Sequence, residues 1–318
     1  MVNASKTQRP AVAKVLGASI GIPIIIGLML FAFLAPTFAS GPKDVPIAIA
    51  APEPMVSQLE QTMGEDGPDI TVYGSGEEVR DAVLNREVVG GLSIAPTGAT
   101  AYTAAGNGAP YAQMIEGMAS KMEAQGVEVT REELAPTSQD DPQATGLAVL
   151  GLPLAFGGII SAVIATFLFR GNKWAKLAVL TGIAAVGSLV VTWMLHSAYG
   201  TLTGNFALEW LGIGCGILAT SMLTAGLAAI IGIPGVGIGA ILTVFLANPL
   251  SGLATGPWLL PAGWSTLGQW MPVGATGHLI RSVSFFDGLG AGSSWWVLAI
   301  WIAVGFVLLM LDRSSARN

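Results

Sequence analysis

Apolar residues in this chain gather into six long runs, and a single polar stretch separates the first run from the rest. The first covers Val12 to Ala35 (VAKVLGASIGIPIIIGLMLFAFLA), and the others begin at Gly146, Ala175, Trp210, Pro234 and Trp295. Each is near the ~20 residues that a helix needs to cross a bilayer. The pattern predicts a membrane α-helical bundle of six transmembrane helices, with a small extracytoplasmic α/β domain inserted between helices 1 and 2. The expected parts are a cytoplasmic N-terminus (1–11), helix 1 (12–35), the α/β domain (40–143), a five-helix transmembrane domain (146–311) and a cytoplasmic tail (312–318).

Inside 40–143 the apolar pattern shortens to strand and helix length. Val45 to Ala50 (VPIAIA) reads as a strand, Pro52 to Met63 as a helix with Met55, Leu59 and Met63 on one face, and Ile70 to Tyr73 as a second strand. A Gly-Ser-Gly turn opens a helix over Glu77 to Asn85 that turns Val79, Val83 and Ala82 inward. Val88 to Ile94, with its paired glycines, and Ala99 to Ala104 read as strands; Tyr111 to Ala124 is a helix and Val127 to Leu134 the last strand, before a linker from Pro136 to Pro142. Strands alternating with helices predict a small domain with a mixed sheet.

Composition agrees with a bilayer core: 52% of the 318 residues are hydrophobic and only 11% charged. Lys6, Arg9, Lys14, Arg170, Lys173, Lys176, Arg313 and Arg317 all fall on one side of the predicted spans, which makes that side the cytoplasm. The polar domain carries 17 acidic residues against five basic ones (Lys43, Arg80, Arg86, Lys121, Arg131), a net of 17 − 5 = 12 negative charges. Such a domain is not built to bind nucleic acid or an anionic surface by charge attraction. Thr37-Phe38-Ala39 before Ser40 could be a signal-peptide cleavage site, but the preceding apolar run is longer than a signal core, which favours a retained anchor. The single cysteine, Cys215, excludes an internal disulfide.

The segments VPIAIAAPE at Val45 and EEVRDAVLNREVVGGLSI at Glu77 resemble the outer domain of type-2 ABC exporter permeases and of the related phage-infection-protein-type membrane proteins. The second half is similar to actinobacterial members: Asp141-Pro142, Gly146 leading into LAVLGLPLAFGG, Asn248-Pro249-Leu250-Ser251-Gly252, Pro261, Pro272-x-Gly274-Ala275, and Arg281 before Phe285-Phe286-Asp287-Gly288. The resemblance implies a dimeric membrane subunit that exports a lipid-like or hydrophobic compound with a separate nucleotide-binding ATPase. It also implies that residues 248–292 re-enter the outer leaflet. That segment is Pro-broken and carries Trp258, Trp264 and Trp270 at intervals of six, which suits either re-entry or an external loop with interface anchors.

The chain departs from such permeases at its inner connections. Arg170 to Lys176 and Ile231 to Gly235 are too short for an amphipathic coupling helix. The alternative is therefore a non-transporting envelope scaffold or receptor on a permease frame, whose partners would be other envelope proteins.

No engine is encoded. Gly235-Val-Gly-Ile-Gly lacks the lysine of a phosphate loop, and Glu209, at the outer end of the fourth span, reads as an interfacial residue rather than a proton relay. The small-residue pairs Gly158/Ala162, Gly212/Gly216 and Gly235/Gly239 read as helix contacts within the chain, with a dimer seam as the alternative. His196 and His278 have no partner inferable from spacing, and the acidic pairs Glu77-Glu78, Glu132-Glu133 and Asp140-Asp141 read as solvated. No catalytic, cofactor or metal site is expected, so an enzyme is not. The expected site is a translocation exit made by Asn248, Pro249, Trp264, Pro272 and Arg281, with Arg281 snorkelling to pair with Asp287.

Overall fold

A computed structural model of the chain describes residues 8–39, 44–56, 67–254, 256–261 and 263–311. Helix α1 (Gln8–Ala39) leads into a five-stranded sheet with strand order β2-β1-β3-β4-β5. Its elements in chain order are β1 (Pro46–Ala50), β2 (Asp69–Val72), α2 (Gly76–Leu84), β3 (Gly91–Ala95), β4 (Gly98–Thr103), α3 (Ala109–Ala124) and β5 (Val129–Glu133). The β3–β4 pair is antiparallel and the other pairs are parallel, so the sheet is mixed, as expected.

Strand β1 shows why. Ile47 and Ile49 enter one core with Leu92, Tyr111 and Ile115, while Ala48 and Ala50 enter another with Val79, Val83 and Tyr102. A strand covered on both faces needs an apolar run rather than alternation, and the sequence there is PIAIA. The Ser75 side chain caps α2 by accepting from the Glu78 N–H at 3.2 Å. The predicted strand from Val88 starts only at Gly91, because Val88 and Val89 are buried in the bend before it. The predicted helix from Pro52 is described over residues 53–56; Leu59 and Met63 lie outside the described residues.

Among the described residues, five helices are long and apolar enough to cross a membrane, the pattern of a multi-pass membrane protein. Short α4 (Thr145–Val149) runs into α5 (Gly151–Leu168) to make the first. Next come α6 (Lys173–Thr192), prolonged by a π-helical turn to Ala198, and α7 (Phe206–Ile231). Helix α8 (Ile233–Ala240) continues through a π segment to Leu250. Short α9 (Trp264–Gln269), α10 (Pro272–Phe285) and α11 (Gly292–Met310) complete the chain. The first apolar run forms α1, whose apolar stretch Val15–Leu28 is shorter than those five, so the sixth crossing rests on the sequence pattern.

Helix α7 is the axis of the bundle, with α5, α6, α8, α10 and α11 packed around it. The contacts are made through missing side chains: a Cβ at Gly158 would strike Thr220, one at Gly216 would strike Thr276, one at Gly239 Thr224 and one at Gly305 the backbone of Met222. The predicted small-residue pairs therefore serve packing within the chain. Lipid offers no hydrophobic drive between helices, and close backbone approach supplies the attraction instead. Four buried hydroxyls of the bundle are satisfied within their own helices. Those of Thr220, Thr224, Thr243 and Thr276 each donate to the carbonyl four residues back, at 3.0, 2.9, 2.8 and 2.7 Å.

Helix α10 runs antiparallel to α7 along half its length. Thr276 faces Gly216, Leu279 and Ile280 face Gly212, and Ser284 bonds Glu209. Gly216 lies ten residues into α7, about 15 Å along its axis, so α10 starts well inside the bundle and rises to the end that carries the sheet. Before it, the chain climbs to the sheet domain, where Trp258 N–H donates to the Tyr111 hydroxyl at 2.9 Å, and then descends through α9, where Gly268 packs on the Leu250 carbonyl. At the far end the connections are minimal. Helices α7 and α8 meet through Gly232 alone, whose φ of +72° reverses the chain within one residue.

Candidate functional site

The seam between the sheet domain and α10 is held by two arginines that cross it in opposite directions. Arg86 follows α2 in a left-handed conformation (φ +60°) closed by its own N–H on the Val83 carbonyl. That turn directs its side chain out of the domain. Its Nε donates to Asn107 Oδ1 at 3.1 Å, and its Nη1 donates to the His278 carbonyl at 2.8 Å and to Ser282 Oγ. The guanidinium also lies 5.0 Å from the Phe286 ring centroid. Arg281 reaches the other way, from α10 into the domain, where Nη1 donates to the Gly106 carbonyl at 3.1 Å and Nη2 to the Leu253 carbonyl at 2.9 Å.

Arg281 corrects the expectation from sequence: it is 4% exposed, neither snorkels nor pairs with Asp287, and Asp287 stands exposed in its own left-handed turn. The reason is that the end of α10 packs beneath the sheet domain instead of facing water. Among the described residues no carboxylate forms an ion pair with Arg86 or Arg281. Burial, reinforced by the charge of Arg281, pushes the Arg86 guanidinium down to about 9, which leaves it a cation at neutral pH.

Beside Arg86 lies a cavity of about 370 Å³ walled by the loop before α9 (Pro257, Trp258), by Gln269 of α9, by His278 of α10 and by Ser294, Trp296 and Ile300 of α11. Among the described residues no acidic side chain lines it. Arg86, which does, has no hydrogen-bond partner at Nη2 among the described residues; Gln269 lines it too, its amide Nε2 donating to the Ser251 carbonyl at 3.0 Å while its unpartnered Oε1 is shut off from the cavity. His278 Nδ1 lies 3.2 Å from Ser294 Oγ, tying α10 to α11.

A second polar cluster closes the same end of the bundle. Glu209, in the first turn of α7, is fully buried, and its carboxylate accepts from Ser284 Oγ at 2.8 Å and from the Gly204 N–H at 3.0 Å, with His196 Nδ1 at 2.7 Å. Glu209 is thus buried rather than exposed at an interface, because α10 covers the start of α7. Asp141, half-exposed, is also a structural acceptor: its carboxylate accepts from the Thr145 and Gly146 N–H groups and from Thr201 Oγ1, each at 2.8–2.9 Å. Burial pulls its carboxyl upward, yet these bonds outweigh it and hold the group below the usual carboxylate range.

The five residues expected to line an exit do not share one space. Asn248 and Pro249 form the last turn of α8, with Asn248 Oδ1 where a Cβ of Gly151 would sit. Trp264 starts α9 and meets Phe31 of α1 edge-on at 6.0 Å, over an apolar groove with Ile25 and Leu246. Pro272 opens α10, buried, its carbonyl accepting from Thr276. Only Arg281 belongs to the seam, and none of the five lines the cavity beside Arg86. Arg86, Gln269 and His278 were missed; the one signal for them was a basic residue standing in a domain of opposite charge. Comparison of the chain with protein-family models, curated proteins and solved structures finds no match.

Proposed function

We propose that this chain is a six-span, permease-like membrane subunit, its α/β domain outside the cell, that moves a lipid-like or hydrophobic compound toward the outer leaflet with the help of a separate ATPase. The observation that carries the reading is the α9–α10 hairpin. It descends beside α7 and returns to the domain end, leaving a cavity open beside α11 at the level of Trp258 and Trp270, both of them exposed. Irregular backbone at such depth is tolerated where protein shields it or a cavity adjoins it. A second copy of the chain would complete a translocation path, since the close contacts at Gly158, Gly216, Gly239 and Gly305 are used within this bundle.

A second reading has its own support. The far-end connections, residues 169–172 and Gly232, offer an ATPase only helix ends to grip, which favours a non-transporting envelope scaffold with the same frame. Gentle purification of the tagged chain from its own membrane into nanodiscs, followed by mass spectrometry, separates the two. A stoichiometric nucleotide-binding ATPase is the expected companion. Recovery of envelope proteins with no ATPase sinks the powered exporter and leaves the scaffold.

A further inference from the structure

We infer that the cavity beside Arg86 binds a membrane amphiphile with an anionic head, its phosphate or carboxylate on the Arg86 guanidinium and its chain along α11. The site does not depend on the transport reading, since a bound lipid is compatible with either.

The division of labour within one guanidinium is the first ground. Arg86 spends Nε and Nη1 on the seam, while Nη2 at the cavity wall has no acceptor and no carboxylate stands near to neutralise the charge. A half-buried cation without a counter-ion is incompletely solvated, and an oxyanion offers it a charge-assisted bond. The hydroxyls around it are the second ground: Ser265, Thr266 and Ser293 also line the cavity, and a hydroxyl can donate to an oxyanion.

The shape sets the rest. A space of about 370 Å³ takes a head group rather than a whole lipid. From it, exposed Trp296, Ile300, Val304 and Val307 form an apolar stripe down one face of α11. Eleven residues of helix run about 16 Å, close to the depth of one leaflet. Trp258, Trp270 and Trp296 at the mouth are suited to the level where heads meet chains. The apolar stripe argues for a lipid over a free anion, since only an amphiphile can use Arg86 and α11 together.

The test is tryptophan quenching of the delipidated full chain, reconstituted in nanodiscs with chain-brominated phosphatidylglycerol or phosphatidylcholine. The wild-type chain is expected to prefer phosphatidylglycerol about tenfold, the worth of one charge-assisted bond. Arg86→Gln should abolish that preference. Should Arg86→Gln fail to fold, Ser293→Glu carries the test: Ser293 is exposed on the cavity rim in the first turn of α11, where a glutamate suits the helix end and repels the head. Equal quenching by the two lipids in the wild type, or an unchanged preference in Ser293→Glu, overturns the site. Loss of the preference in millimolar inorganic phosphate overturns the lipid as occupant and assigns the pocket to a free anion.

Discussion

Two arginines at one seam differ in what their donors meet, and the difference sets how each responds to substitution. Arg281 places two nitrogens of its planar fork on two main-chain carbonyls, of Gly106 and Leu253, that no other described group serves. Lysine carries a point charge and cannot span both. Arg281→Met should leave two buried carbonyls unpaired and lower stability by about 2–4 kcal/mol, with Arg281→Lys recovering about half, read as thermal unfolding in detergent. Asp141 yields a pH-dependent case. Its carboxyl titrates below the ordinary range in the folded chain, so its contribution is complete above the unfolded value near 3.9 and is lost as pH falls through the lower folded one. Asp141→Asn should therefore cost about 1 kcal/mol at pH 7, in line with loss of a helix-capping carboxylate, and the gap to wild type should close below about pH 4. A constant gap from pH 7 to pH 3 would contradict the ionic account.

At the scale of elements, α7 works as an axis because its glycines let neighbours approach to backbone distance. Gly216→Leu should separate α10 from α7, cost more than about 3 kcal/mol and detach the seam with it. Gly182→Leu, at a position of α6 with nothing near its absent Cβ, should be tolerated within about 1 kcal/mol. Equal losses in the two variants, measured by unfolding, would show that glycine packing does not decide the bundle. The same contrast explains which elements could be read from sequence. The five long helices announce themselves by unbroken apolar runs, and β1 by PIAIA, because burial on all sides needs apolar residues and nothing subtler. Helix α10 does not. Its PVGATGHLIRSVSF is rich in Gly, Ser and Thr and carries His278 and Arg281, so hydropathy reads it as loop, while small size is what buries it against α7. The packing of α10 under the domain, the burial of Glu209 and the double arginine seam depend on contacts across more than seventy residues that no local pattern encodes.

The whole molecule has two unlike ends. One carries the acidic sheet domain, the Glu209 and Asp141 networks, the arginine seam and the cavities; the other has helix ends joined by four residues and by one. The five candidate crossings begin at the domain end and finish at the far end, so the end of α11 lies on the same side as Arg170. The clustered Lys and Arg give the expectation that this side is cytoplasmic, and if α1 also crosses, its beginning lies there too. Single cysteines introduced after Cys215→Ala decide this in intact cells. An impermeant maleimide should label Glu128→Cys, exposed on the domain, without permeabilisation, and should reach Arg170→Cys only after it. Gln8→Cys, at the start of α1, carries the sixth crossing: protection equal to that of Arg170→Cys places α1 through the bilayer, whereas labelling in intact cells puts both ends of α1 on the domain side. That second outcome would reduce the protein to five crossings and remove the frame on which the permease reading stands.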